Sequence, residues 1–116
     1  MSLQKETIED VAVLVPGRLI VGGSETDRLE STLYELIATG QRKIVLDLNR
    51  THIITSLPIK LLERVHKKAK ESGAIFCLCC LDHIDQASAI FWLLRQFRVY
   101  DTREECLQAL RFAQAE

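Results

Sequence analysis

Two adjacent hydroxyl residues, Thr55 and Ser56, stand directly before Leu57-Pro58 and a long amphipathic stretch. Ser and Thr are favoured at such a place because the hydroxyl oxygen accepts a hydrogen bond from an unpaired backbone N–H, for about 1 kcal/mol. Pro58, near the first helical positions, agrees with a helix start. The same geometry admits a second chemistry. A helix N-terminus carries partial positive charge and free N–H donors, so a phosphate is tolerated there. Phosphorylation of Ser56 would add roughly −1.5 to −2 units of charge to a surface otherwise suited to a partner. Ser56 is therefore the phosphorylation candidate, and the modification would act as an on–off switch.

The remaining chemistry-bearing residues form no constellation. Cys77, Cys79 and Cys80 sit in one apolar stretch, with Cys106 far along the chain. On a strand, Cys77 and Cys79 share one face and Cys80 takes the other. This is not the C-x-x-C spacing of a zinc or redox site, so buried, reduced thiols are expected. His52, His66 and His83 are single and scattered, which predicts no metal site. There is no G-x-S-x-G elbow, no H-E-x-x-H pair and no G-x-G-x-x-G, and Gly22-Gly23 is not continued into a P-loop. The sequence predicts no cofactor and no enzymatic activity.

The elements that must position Ser56 follow from hydrophobic patterning. Val11 to Val15 is an unbroken apolar run and reads as a buried strand. After Pro16-Gly17, Arg18 to Val21 reads as the second arm of a strand pair. Ser24 with Asp27, or Thr26, can cap a helix whose stripe is Leu29, Leu33, Leu36 and Ile37, ended by Gly40. Lys43 to Leu48 is the strongest strand, followed by a polar turn over Asn49 to His52 and the apolar pair Ile53-Ile54. A second helix carries Leu57, Leu61, Leu62, Val65 and Ala69 and stops at Ser72-Gly73. Ala74 to Leu81 is a buried strand, Ile84 to Gln96 a third helix, and Phe97 to Tyr100 a short strand. Thr102-Arg103-Glu104-Glu105 is a capping box opening a last helix. Alternating strands and helices predict an α/β fold with a mixed, mostly parallel sheet of about four to five strands and about four helices. One domain over residues 1–116 is expected.

Composition excludes several classes of function. Fifteen basic residues face sixteen acidic ones, without the clustered cations that neutralise phosphates, so nucleic-acid binding is not expected. The apolar runs fall short of the roughly twenty residues of a membrane span. Met1 to Asp10 is polar and lacks the pattern of a signal peptide. A cytoplasmic protein without membrane insertion is expected, in a reducing compartment that agrees with four thiols.

The stretch Lys43 to Leu62 resembles the STAS family, the fold of bacterial anti-sigma-factor antagonists. Ile44-Val45-Leu46-Asp47-Leu48 matches the family's strand and Ile53-Ile54 its apolar approach. Thr55-Ser56-Leu57-Pro58-Ile59 stands where a D-S-S-G-L or D-S-T-G-L motif opens a helix. Gly17-Arg18-Leu19 resembles the family's G-x-L, and Phe97 to Asp101 before a capped helix resembles its ending. The resemblance spans nearly the whole chain. It implies a small STAS-type domain that binds a protein partner, an anti-sigma factor serine kinase with a histidine-kinase-like ATP fold. By position Ser56 corresponds to the serine that this kinase phosphorylates. The chain departs from the pattern at the motif aspartate, which is Thr55, at the glycine, which is Pro58, and at a second aspartate, which is Ile20.

Two functions follow as expectations. One is a phosphorylation-controlled antagonist whose partner-binding surface comprises Thr55, Ser56, Leu57, Pro58 and Lys60 with Ile20, Gly22 and Ser24, with Leu57, Pro58 and Ile20 supplying exposed apolar area. The other is a non-phosphorylated scaffold subunit of a sensory or transport complex, in which both lost acidic positions no longer matter and the apolar third helix offers a second contact surface.

Overall fold

Three apolar runs set the frame, as their composition dictates. The computed structural model describes residues 3–113, and in it β2 (Val11–Val15) is buried along its whole length. β4 (Lys43–Asp47) and β6 (Ile75–Cys79) are buried except at their first residues. Strands covered on both faces read as continuous apolar runs, and these three do. With β1 (Gln4–Ile8) and β7 (Val99–Tyr100) they form a five-stranded sheet in the order β1-β2-β4-β6-β7. Only β1 runs antiparallel; β2, β4, β6 and β7 are parallel neighbours. Four helices complete the mixed, mostly parallel α/β architecture that the patterning predicts: α1 (Ser24–Ala38), α2 (Ser56–Glu71), α3 (Ala89–Leu94) and α4 (Arg103–Phe112).

The core has two layers. On one face Leu14, Ile44, Leu46, Phe76 and Leu78 pack against Leu29 and Leu33 of α1 and Ile59, Leu62 and Val65 of α2. On the other face Val13, Val45, Cys77 and Cys79 pack against Cys106 and Leu110 of α4.

Several sequence expectations are corrected. The antiparallel partner of β2 is β1 and not residues 18–21; Ile8 faces Val11 across the turn at Glu9-Asp10. β1 was invisible to patterning because Gln4 to Thr7 are all exposed on a sheet edge, where burial imposes no alternation. Residues 19–20 instead form β3 (Leu19–Ile20), which pairs in parallel with β5 (Ile53–Ile54) in a separate two-stranded ladder. Helix α1 begins at Ser24 with Gly23 as its cap, at φ 93°, a conformation that glycine adopts without strain. Thr26 reaches back to accept from the Gly22 N–H at 2.9 Å.

The third helix is six residues long and does not begin at Ile84. Asp85 accepts from the Ala87 N–H at 2.9 Å, and Ser88 caps the helix by accepting from the N–H groups of Ile90 and Phe91. These side chains offer the backbone local bonds that compete with helix, so residues 81–88 turn instead. In the last helix the Thr102 hydroxyl accepts from the Glu105 N–H at 3.1 Å, the hydroxyl half of the expected box. Among the described residues no helix is long and apolar enough to cross a membrane.

Candidate functional site

The surface around Ser56 is assembled by the small β3–β5 ladder. Buried Thr51 donates its hydroxyl to the Gly17 carbonyl at 2.9 Å, tying the turn after β4 to the end of β2. The N–H groups of His52 and Ile53 both donate to the Arg18 carbonyl, and Thr55 N–H donates to the Ile20 carbonyl at 3.1 Å. Leu19 is thereby paired with Ile53 and Ile20 with Ile54. Paired residues in register share a face, and strand residues alternate faces. Ile20 and Ile54 point into the core, while Leu19 and Ile53 stand half exposed, at 48% and 49%. Val21, on the Leu19 parity, is exposed as well.

From the end of this ladder one strand leads through Gly22-Gly23 into α1, and the other through Thr55 into α2. Thr55 is the α2 cap by its extended backbone, yet its side chain makes no cap hydrogen bond. Ser56 is the first helical residue and is exposed. The capping role read from the sequence is thus not performed by a hydroxyl here. Leu57 is 69% exposed, and Lys60 lies four residues after Ser56, on the same face of the helix.

The structure brings Ile20, Thr55, Ser56 and Leu57 to one end of the molecule, with Gly22 and Ser24 continuing from the same ladder. Two of the apolar groups expected to supply exposed area do not: Ile20 is 2% exposed and Pro58 is buried. They support the surface from beneath. The exposed apolar groups are instead Leu19, Val21, Ile53 and Leu57. Period-two alternation over Leu19 to Val21 carried this signal, but a two-residue strand offers too few positions to read it.

A second constellation lies where β4 and β6 meet α4. Asp47 is almost fully buried. Its Oδ2 accepts from Arg103 Nε at 2.8 Å and its Oδ1 from the Asn49 N–H at 2.9 Å. Arg103 Nη1 also donates to Glu6 Oε2 at 3.0 Å, so one guanidinium joins the edge strand, the central strand and the last helix. Burial opposes the Arg103 charge, but the two carboxylates outweigh it and raise its pKa.

Two of the four thiols, Cys79 and Cys80, lie beside Asp47. Cys77, Cys79 and Cys106 are buried as expected, and Cys80 is half buried. Cys80 does not simply take the opposite face. It follows the last residue of β6 with φ 66°, the left-handed region, which costs an L-residue about 1–2 kcal/mol. Its Sγ lies within 4.8 Å of both Cys79 Sγ and an Asp47 carboxylate oxygen. Asp47, Cys79 and Cys80 are the one such ligand group among the described residues. Burial pushes the Cys80 thiol up to about 11. A hydrogen bond with Cys106, then burial, raises Cys77. These thiols are therefore protonated at neutral pH.

No family model matches the chain. It is 28% identical over 95 residues, 81% of this chain and 82% of the other, to BtrV of Bordetella bronchiseptica, a protein described as an anti-sigma factor antagonist. A Thermotoga maritima protein of the same description superposes with a TM-score of 0.79 at 21% identity, covering 94% of each chain. The anti-sigma factor antagonist SpoIIAA in its unphosphorylated form superposes with a TM-score of 0.75 at 14% identity, over 97% of this chain and 100% of that one. Its phosphorylated form, from Bacillus, does so at 0.70 and 15%, over 95% and 100%. The chain therefore has the STAS fold of the anti-sigma factor antagonists.

Proposed function

We propose that this chain, with the fold of the anti-sigma factor antagonists, is a cytoplasmic, non-enzymatic regulatory module that binds an anti-sigma factor serine kinase and is released when Ser56 is phosphorylated. The observation that carries the reading is the position of Ser56: exposed at the first turn of α2, beside exposed Leu57 and the Leu19–Ile53 pair. Apolar groups of this kind gain roughly 25 cal/mol per Å² when a partner covers them. A phosphate placed among them would have to be desolvated on docking, which opposes the same contact. In the free chain the N–H groups at the α2 N-terminus and the Lys60 ammonium, one turn on, accommodate the dianion. The descriptions of BtrV and SpoIIAA support the class of partner.

The test is capture from the source cell with wild type, Ser56→Asp and Leu57→Glu as baits. One serine kinase retained by wild type and lost from both variants is expected. That purified kinase with ATP should then add phosphate to wild type and not to Ser56→Ala.

One observation favours a second reading. Thr55 replaces the motif aspartate, removing a carboxylate beside the acceptor hydroxyl. A scaffold subunit needs no acceptor, and exposed Trp92 and Leu93 on α3 give such a subunit a second contact surface. Identical complexes on wild type and Ser56→Asp, with no kinase in either, would favour this reading over the switch.

A further inference from the structure

We propose that Asp47, Cys79 and Cys80 form a binding site for a soft divalent cation of the zinc type. Their three donor atoms already lie within 4.8 Å of one another. In a tetrahedral zinc site, with bonds near 2.1–2.3 Å, donor atoms stand about 3.5–4 Å apart, so closure about a cation needs roughly an ångström of movement.

The backbone points to the same trio. Successive residues of a strand send their side chains to opposite faces. Cys80 would leave Cys79 in that way, but its φ of 66° swings the thiol back toward Cys79 and Asp47. A turn after β6 is made without strain by glycine. A thiol occupies the strained position instead, and strain of this kind collects at binding sites.

Asp47 is held as a metal-ligating carboxylate is held. Arg103 Nε fixes Oδ2 and the Asn49 N–H fixes Oδ1, and the Cys80 thiol also hydrogen-bonds to the carboxylate, a contact that a cation bound to both groups would replace. Arg103 also balances the charge. Binding would release two thiol protons to solvent, giving two thiolates and one carboxylate, three negative charges. A divalent cation with the Arg103 guanidinium supplies three positive charges, which match these three, while the half-exposed Glu6 on the far side of Arg103 leaves one negative charge facing solvent. Two thiolates select a soft ion over magnesium or calcium. Cys79 and Asp47 close the site from inside, and half-buried Cys80 is its open side, where water takes the fourth position.

The experiment is titration of the full chain with Cd²⁺ under a phosphine reductant, read by the ultraviolet thiolate-to-cadmium band and by thermal melting, with Zn²⁺ as competitor. One Cd²⁺ per chain, displaced by Zn²⁺ and raising Tm, is expected. Cys80→Gly relieves the left-handed strain, so the metal-free variant should melt higher than wild type yet lose both the band and the metal-dependent rise. Cys77→Ala, two residues back along β6, should keep them. Absence of the band at one equivalent, or a band of undiminished strength in Cys80→Gly, would overturn the site.

Discussion

The two faces of the central sheet are built from different materials. The face under α1 and α2 is leucine, isoleucine and phenylalanine, closed by two long helices. The face under α4 is valine and cysteine, closed by one ten-residue helix and an ion pair from Arg103 to buried Asp47. The first face is held by bulk apolar burial. The second has smaller side chains and depends on polar groups being placed correctly. The Ser56 surface sits at the ends of the helices on the first side.

The contrast can be broken by three measurements of unfolding. Leu62→Ala, on the first face, removes a fully buried side chain and should cost about 3 kcal/mol. Cys106→Ala, equally buried on the second face, should cost about 1 kcal/mol, and equal costs in chemical denaturation would remove the distinction. Asp47→Ala should cost about 2 kcal/mol, because Arg103 keeps Glu6 but loses its buried partner. A cost near zero would mean that Glu6 alone suffices.

A second comparison sets the two helix starts against each other. Thr102→Ala at α4 should cost about 1 kcal/mol, since its hydroxyl accepts from the Glu105 N–H. Thr55→Ala at α2 should leave the unfolding midpoint nearly unchanged, since its hydroxyl caps nothing.

The smallest effect is one of pH. Burial first, and Lys70 second, lower the pKa of His66 from 6.5. The unfolded chain therefore binds the proton first as pH falls, and stability is lost below the ordinary value until the folded pKa is passed. His66→Gln should flatten this acid slope when urea midpoints are compared at about pH 7.5 and about pH 5.5. An unchanged slope would place the acid sensitivity elsewhere.

Legibility followed burial. β2, β4 and β6 were readable because two covered faces make every residue apolar. β1 was not, because its exposed edge allows Gln4-Lys5-Glu6-Thr7. The third helix was read too long because Ile84, Phe91 and Leu94 are all buried at helix-compatible spacing, while Asp85 and Ser88 redirect the backbone between them. At the candidate site the position of Ser56 at the start of α2 was legible. The facing of Ile20 and Pro58 was not, since it depends on a long-range ladder between residues 19–20 and 53–54. The Asp47–Arg103 pair, 56 residues apart, had no local signature at all.

That ladder also has a mechanical meaning. The chain entering α1 and the chain entering α2 are fastened together just before each helix begins, by Thr51 to Gly17 and by three backbone bonds to Arg18 and Ile20. The two helix starts therefore move as one body. A partner pressing on Leu57 also displaces Val21 and Gly22, and the amides of His52, Ile53 and Thr55 should exchange their hydrogens in a single cooperative opening.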